Sequence, residues 1–429
     1  MISTTPDTIE PPEASRWMLA LAVLVLGVAF FLTEHDWGRS RLEAFSLSAE
    51  QLEDATGGGS AWRQLAFSLV AAMGLFFLLR RGGRRCRFDD PLAWLLILYV
   101  AWCATSVAWS IDALLTAKRV VVLAFCLLGA LGLARQLSPR QLCLLTTAIL
   151  TAYCVLGLGA EMALGTFRPW SREYRFGGTV HPNTQGVYCA ALCLAAAALA
   201  GRWGRQSLPA LGLFAVAAVL LVLTRSRTAC VGLAFALAVV ALVGFSPKAR
   251  LVTAVAGTWV FCTAVFATAL CGMDPQKQMT NVILLGRTEH VASLNGRIPL
   301  WNELLPYVRQ RPLQGYGYDG FWNAHHIEDL SEISQWAIHV AHSMYLDVLL
   351  SVGLIGAGLL LLAGALGAYR HARQYLIAGD SSSGFFFGLL VFGAVTGVLE
   401  SGFIQPMFVP MVAACGLAQA AFGREEVAS

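Results

Sequence analysis

The sequence predicts an all-α, polytopic integral membrane protein of about twelve membrane-spanning helices, with one large, partly helical outward-facing loop. Three observations carry this. The 429 residues are 57% hydrophobic and only 13% charged, where a soluble domain has about 25% charged residues. Apolar runs of ~17–25 residues recur along the whole length, each long enough to cross a bilayer as a helix. Five basic connections between them fall on one side in strict alternation, as the positive-inside rule leads one to expect of the inner face.

The expected spans lie at roughly 17–33, 61–79, 91–109, 118–134, 141–160, 183–200, 208–223, 228–245, 251–270, 342–367, 383–399 and 407–422. Orientation follows from the connections. Arg80-Arg81-Gly-Gly-Arg84-Arg85-Cys-Arg87 is the strongest inner-face signal, and Arg135/Arg140, Arg202/Arg205, Lys248/Arg250 and Arg370/Arg373 fall on the same side. Both termini then face inward. The first run lacks a small-residue cleavage site and reads as a retained helix. The acidic stretch 34–60, the loop 161–182 and the long connection from Cys271 to Ala341 face outward. The chain thus divides into a bundle of about nine helices (1–270), a loop subdomain (271–341) and about three closing helices (342–429). In the loop subdomain, Asn295 is placed to cap a helix carrying Trp301, Leu304 and Leu305 on one face, and Pro306 to kink it. Gly315-Tyr-Gly-Tyr-Asp-Gly320 reads as a turn-rich segment.

Several classes are excluded. No basic tail or basic–aromatic module suggests nucleic-acid binding. Most of the eleven cysteines, including Cys103, Cys126, Cys143, Cys189 and Cys193, sit inside apolar runs as small hydrophobes. No Walker loop, nucleophile elbow or dinucleotide fingerprint is present. His325, His326, Glu328, Asp329 and Glu332 lie close together but lack the spacing of a zinc site, so no metal is expected.

Arginines on the outer side carry the functional signal, because arginine is costly near hydrocarbon and normally gathers on the inner face. Arg168, Arg172, Arg175, Arg225, Arg227, Arg287 and Arg297 all fall there, which calls for an anionic partner, best supplied by a phosphate. In Arg168-Pro-Trp-Ser-Arg-Glu-Tyr-Arg175-Phe-Gly-Gly-Thr-Val-His181-Pro-Asn183, two glycines allow close approach of a ligand and Asn183 is placed to cap the next helix. Thr224-Arg225-Ser226-Arg227-Thr228 links two spans so tightly that its backbone must lie at the membrane surface, with hydroxyls between the arginines. Arg297 stands in the first turn of the loop helix, where a bound anion would gain from the dipole. Lipid headgroups are the alternative partner for the first two of these segments, and a solvated loop arginine is the alternative reading of Arg297. His339 and His342 share a helix face if the following helix starts early, and Tyr345 and Asp347 follow within its first turns. Asp347 reads as a structural partner for another span.

Taken in order, these segments resemble the O-antigen ligase / O-antigen polymerase superfamily of bacterial envelope glycosyltransferases. A motif of that family is histidine, then Asn, Ser or Gln, nine residues, and Gly-x-x-Gly. Here His342-Ser343 is followed by nine residues and Gly353-Leu-Ile-Gly356. Arg297-x-x-x-Trp301, Arg311-Pro-Leu-x-Gly-Tyr-Gly, Phe321-Trp322, Gly-x-x-His181-Pro-Asn183 and Thr224-Arg-Ser-Arg227 are similar as well, over roughly 165–360. The resemblance implies a bacterial inner-membrane enzyme with the large loop in the periplasm. It moves a glycan from an undecaprenyl pyrophosphate-linked donor to an acceptor, lipid A-core for a ligase or a second glycan-lipid for a polymerase, with no cofactor. By position it makes Arg225 and Arg297 the diphosphate holders, Arg175 and Arg227 their support, and His342 the base; His339, His181, Asn183 and Tyr345 are supporting residues. Ser343 stands where many members have Asn. The competing class is a transporter or flippase for lipid-linked sugars. That class places ionisable groups near mid-membrane and is often built from repeats, whereas here the charges gather at one rim and no internal repeat is evident.

Overall fold

The computed structural model describes residues 16–35, 60–81, 83–84, 89–201, 207–244, 297–334 and 338–422. Thirteen α-helices and no strand occur among the described residues: α1 (Arg16–Glu34), α2 (Ala61–Leu79), α3 (Pro91–Thr105), α4 (Ala113–Gln136), α5 (Pro139–Ala163), α6 (Pro182–Ala200), α7 (Leu208–Thr224), α8 (Arg227–Gly244), α9 (Arg297–Gln310), α10 (Ala324–Ser334), α11 (Met344–Ala378), α12 (Ser381–Thr396) and α13 (Phe408–Phe422). Eight are long and apolar enough to cross a membrane, and α7, α12 and α13 are shorter apolar helices at three further expected positions. The expected span at 251–270 lies outside the described residues, as do Arg287, Asn295, Arg85, Arg87, Arg202, Arg205, Lys248 and Arg250.

Local chemistry starts these helices where the sequence allows. Asp90 caps α3 at the Leu92 N–H, with Pro91 supplying a pre-set first turn. Ser138 and Gln141 form a reciprocal capping box at α5, and Asp380 caps α12 at Ser382 and Ser383. Inside a bilayer little water is expelled when helices meet, so close packing does the holding. Gly74 and Gly132 let α2 and α4 approach until a methyl group on either would overlap the other's backbone. A core of Phe30, Phe67, Phe77, Tyr188, Phe385, Phe392 and Phe408 fills the bundle, while Leu24, Val155, Val219 and Leu362 stay exposed on its outer wall.

The ends of the bundle sort as the alternation requires. At one end, Arg135 donates to the Leu78 carbonyl, Arg370 pairs with Asp90 and reaches the Ala420 carbonyl, and Gln419 donates to the Leu137 carbonyl. At the other, His35 meets Thr179, Trp109 donates to the Gln314 carbonyl, and the connections after α5, α7 and α12 converge. Helices α9 and α10 sit over this second end. Leu300, Leu304, Phe321, Trp322, Ile327 and Leu330 form a separate small core that also takes in Leu346 and Leu350 of α11. Pro306 lies inside α9, as expected from the sequence.

The way this cap is seated depends on a break in α11. Gly353 has φ +65° and ψ −169°, outside helical geometry. The segment 312–316 fills the break: Leu354 N donates to the Pro312 carbonyl at 2.8 Å, Ile355 N to that of Leu313 at 3.2 Å, and Tyr316 N to that of Leu350 at 2.8 Å. Backbone groups freed by a broken membrane helix must find partners within the protein, and these bonds supply them. A side chain at Gly353 would strike the Leu313 carbonyl, so the motif glycine is required twice over, for its φ and for this contact.

Candidate active site at the capped end

His342 lies in a short non-helical segment in front of α11. Its backbone is left-handed, with φ 52°, Ser343 is extended, and the helix starts only at Met344. The expectation that His339 and His342 share a helix face is therefore corrected. The chain is pulled across the helix mouth instead. Trp301 Nε1 donates to the Ala341 carbonyl at 2.8 Å, and Ala341 N donates to Asp347 Oδ1 at 3.0 Å. The same Asp347 oxygen accepts from Trp322 Nε1 at 2.8 Å. Asp347 is thus structural: it ties Ala341 and Trp322 of the loop subdomain to the mouth of α11, with Ser401 of the α12–α13 connection beside it. Met344 N, a helix-start donor with no partner inside its helix, bonds the carbonyls of Gly397 and Glu400.

The half-buried His342 imidazole is held at a pKa of about 3 by burial and by Arg297, His339 and His181 around it. It is therefore neutral at physiological pH, the form that can accept a proton. His181, not Asn183, caps α6: its Nδ1 accepts from Asn183 N at 3.1 Å. An accepting Nδ1 leaves the proton on Nε2. Burial and the nearby Arg175 lower the His181 pKa to about 4.

Freed from capping, the Asn183 amide bridges charges. Its Oδ1 accepts from Arg175 at 2.7 Å and its Nδ2 donates to Glu400 Oε1 at 3.1 Å. Arg297 reaches the same Glu400 oxygen at 3.1 Å. Arg175 Nε also donates to the Thr224 carbonyl at 3.1 Å. A continuous polar chain therefore runs Thr224–Arg175–Asn183–Glu400–Arg297, from the end of α7 through the α5–α6 connection, the first turn of α6 and the α12–α13 connection to the first residue of α9. Burial raises the Glu400 carboxyl above the usual carboxylate range, against the pull of Arg297 and Arg175.

The structure thus brings Arg175, Arg297, His181, Asn183 and His342 together, with His339 close enough to act on His342. Other sequence candidates are placed as follows. Arg225 sits in a left-handed turn ending α7, and its guanidinium donates to the carbonyls of Arg172 and Ser171. Arg227 is half-buried and opens α8. Tyr345 OH donates to the Ala394 carbonyl at 2.7 Å, toward α12. Arg168 Nε donates to the Gly165 carbonyl at 3.3 Å. His326 stacks on Phe321 at 4.3 Å. Glu400 is the residue that sequence reasoning missed. Its only advance signal was an acidic group in a short outer connection, facing the same side as the arginines.

This set can neutralise an anion while offering a neutral imidazole beside it. Residues 212–361 match the protein-family model described as O-antigen ligase. The matched stretch runs from α7 through the first half of α11 and contains Arg225, Arg297, His342 and Gly353, while Arg175, His181, Asn183 and Glu400 lie beyond it. No curated protein matches the chain. The family points to an enzyme that transfers glycans, and the match supports an O-antigen ligase-type superfamily over residues 212–361.

Proposed function

We propose that the protein transfers a saccharide chain from undecaprenyl pyrophosphate to an acceptor hydroxyl at the periplasmic face of the inner membrane, as an O-antigen ligase in lipopolysaccharide assembly. The observation that carries this reading is the meeting of Arg297, Arg175 and His342 at one end of the bundle, under the cap. In this reading the capped end faces the periplasm and both termini the cytoplasm.

The reaction is one displacement. The acceptor oxygen attacks the anomeric carbon, the bond from that carbon to the diphosphate oxygen breaks, and the diphosphate leaves with the electron pair. The acceptor proton passes to His342. Inversion at the sugar carbon follows. A diphosphate is a good leaving group, so its developing charge needs neutralising more than it needs a proton. One guanidinium about 4 Å away contributes roughly 4 kcal/mol at an effective dielectric of ~20, and its planar fork takes two oxygens at once. A positioned base adds ~10²–10⁴ in rate. The pKa of about 3 makes His342 a weak base in the empty site. A bound diphosphate offsets Arg297 and raises that basicity when it is needed.

The test is transfer by purified protein given lipid-pyrophosphate-linked glycan and, in separate arms, lipid A-core or a second glycan-lipid. Transfer to lipid A-core that survives EDTA and is lost in His342→Ala supports the reading. Extension of the glycan-lipid instead makes the protein a polymerase of the same superfamily. Full transfer by His342→Ala sinks the proposed chemistry.

A further inference from the structure

Glu400 poses a problem for any anion-binding reading of the site. Its Oε1 already accepts from Arg297 at 3.1 Å and from Asn183 at 3.1 Å, and Asn183 passes the contact on to Arg175. The side chains of Arg297 and Glu400 are only 15% and 20% exposed. The arginine best placed for a diphosphate is occupied by a carboxylate of the protein itself.

A partly buried guanidinium left without a counter-charge is costly, and an empty diphosphate site lined by Arg297 and Arg175 is in that position. A carboxylate has the planar, two-oxygen shape that guanidinium groups also recognise in phosphate. Glu400 is also held in place by its backbone, because its carbonyl accepts from Met344 N, two residues after His342. It can release Arg297 without leaving the site.

We propose that Glu400 is a resident counter-ion that holds the diphosphate's place on Arg297, and that donor binding exchanges one anion for the other. The inference rests on the functional reading above and adds to it how the site stands empty and how it empties again. An incoming diphosphate carries more charge and more acceptor oxygens than one carboxylate, so it takes over Arg297. After transfer the lipid diphosphate product remains on the arginines. Return of Glu400 to Arg297 then competes with that product and promotes its release.

The exchange predicts that removing the competing charge tightens anion binding. Binding of inorganic pyrophosphate to the full chain in nanodiscs is measured by calorimetry for wild type, Glu400→Gln, Glu400→Asp and Arg297→Ala. Glutamine keeps the oxygen that accepts from Asn183 and removes the charge. The expected result is about 10- to 100-fold tighter binding by Glu400→Gln, the equivalent of one charge-assisted hydrogen bond no longer broken. Glu400→Asp, one methylene shorter, should fall between; it decides the question alone if the glutamine protein is not monodisperse. Arg297→Ala should bind more weakly than wild type. Binding that depends on Arg297 but is unchanged or weakened in the Glu400 variants overturns the exchange and leaves the functional reading standing. No pyrophosphate binding by wild type and Glu400→Gln alike overturns both.

Discussion

Replacing Arg297 by glutamine separates what that residue does for the fold from what it does for chemistry. The pair with Glu400 spans 3.1 Å between side chains that are 15% and 20% exposed. Deleting one member of a fully buried pair costs about 3–5 kcal/mol, because the other charge is left stranded. Here Asn183 still donates to Glu400, and some water reaches the site. The loss should therefore be smaller, about 2 kcal/mol. The double variant Arg297→Gln, Glu400→Gln removes both charges and should regain most of that stability, since contacting groups are not additive.

Transfer should behave differently. Loss of a guanidinium facing a diphosphate at about 4 Å removes roughly 4 kcal/mol from the transition state, on the order of a 10³-fold fall in rate. Neutralising Glu400 cannot restore it. Thermal unfolding and transfer, measured on the same nanodisc preparations, give the two readouts. Recovery of transfer together with stability in the double variant would show that Arg297 merely holds Glu400, and the diphosphate assignment would fall. Unchanged stability in the single variant would refute the ion pair itself.

Two further outcomes are expected. The pKa values of about 3 for His342 and about 4 for His181 leave both rings neutral from pH 5 to 8 in the empty site. Since kcat/KM titrates the free enzyme, it should show no histidine limb there, whereas kcat should fall on the acid side at a higher pH, because the bound diphosphate offsets Arg297; a kcat limb no higher than that of kcat/KM would contradict the coupling. Gly353→Ala forces a left-handed alanine against the Leu313 carbonyl and should cost more than about 2 kcal/mol in unfolding measurements, while Gly358→Ala, with open space around it, should be neutral or slightly stabilising.

The spans were legible because crossing hydrocarbon imposes a length and a composition, and both can be read from one sequence. Arg297 and His342 were legible for a related reason: polar groups concentrated at one rim need an explanation. What was not legible depends on backbone direction. Nothing in the sequence distinguishes His181 from Asn183 as the cap of α6, since either side chain can accept from a helix N–H. The choice matters, because it frees Asn183 to join Arg175 to Glu400. Arg225 reads as exposed to any outer ligand, yet the left-handed turn at that residue aims its guanidinium at the carbonyls of Arg172 and Ser171. Glu400 was hidden because a lone acid in a short connection has no periodicity to give it away. Early helix formation at His339 was a reasonable reading of residue spacing. It lost to the crosswise bonds from Trp301 and Asp347.

Those crosswise bonds also explain why the site lies where it does. Residues 338–341, α9, α10 and the first turns of α11 share one small core, and the 312–316 segment locks into the break at Gly353. His342 is therefore positioned by the cap. Arg175 belongs to the α5–α6 connection, Asn183 to the first turn of α6, Thr224 to the end of α7 and Glu400 to the connection after α12. The cap reaches these groups through Arg297 of α9 on Glu400 and through Met344 N on the Glu400 carbonyl. One of these links is a backbone bond that an anion does not disturb; the other is the ion pair that an anion replaces. An anion bound between Arg297 and Arg175 would join the same two parts that Glu400 now joins, with stronger charge on each contact. The seating of the cap and the occupancy of the site are thus linked through Arg297.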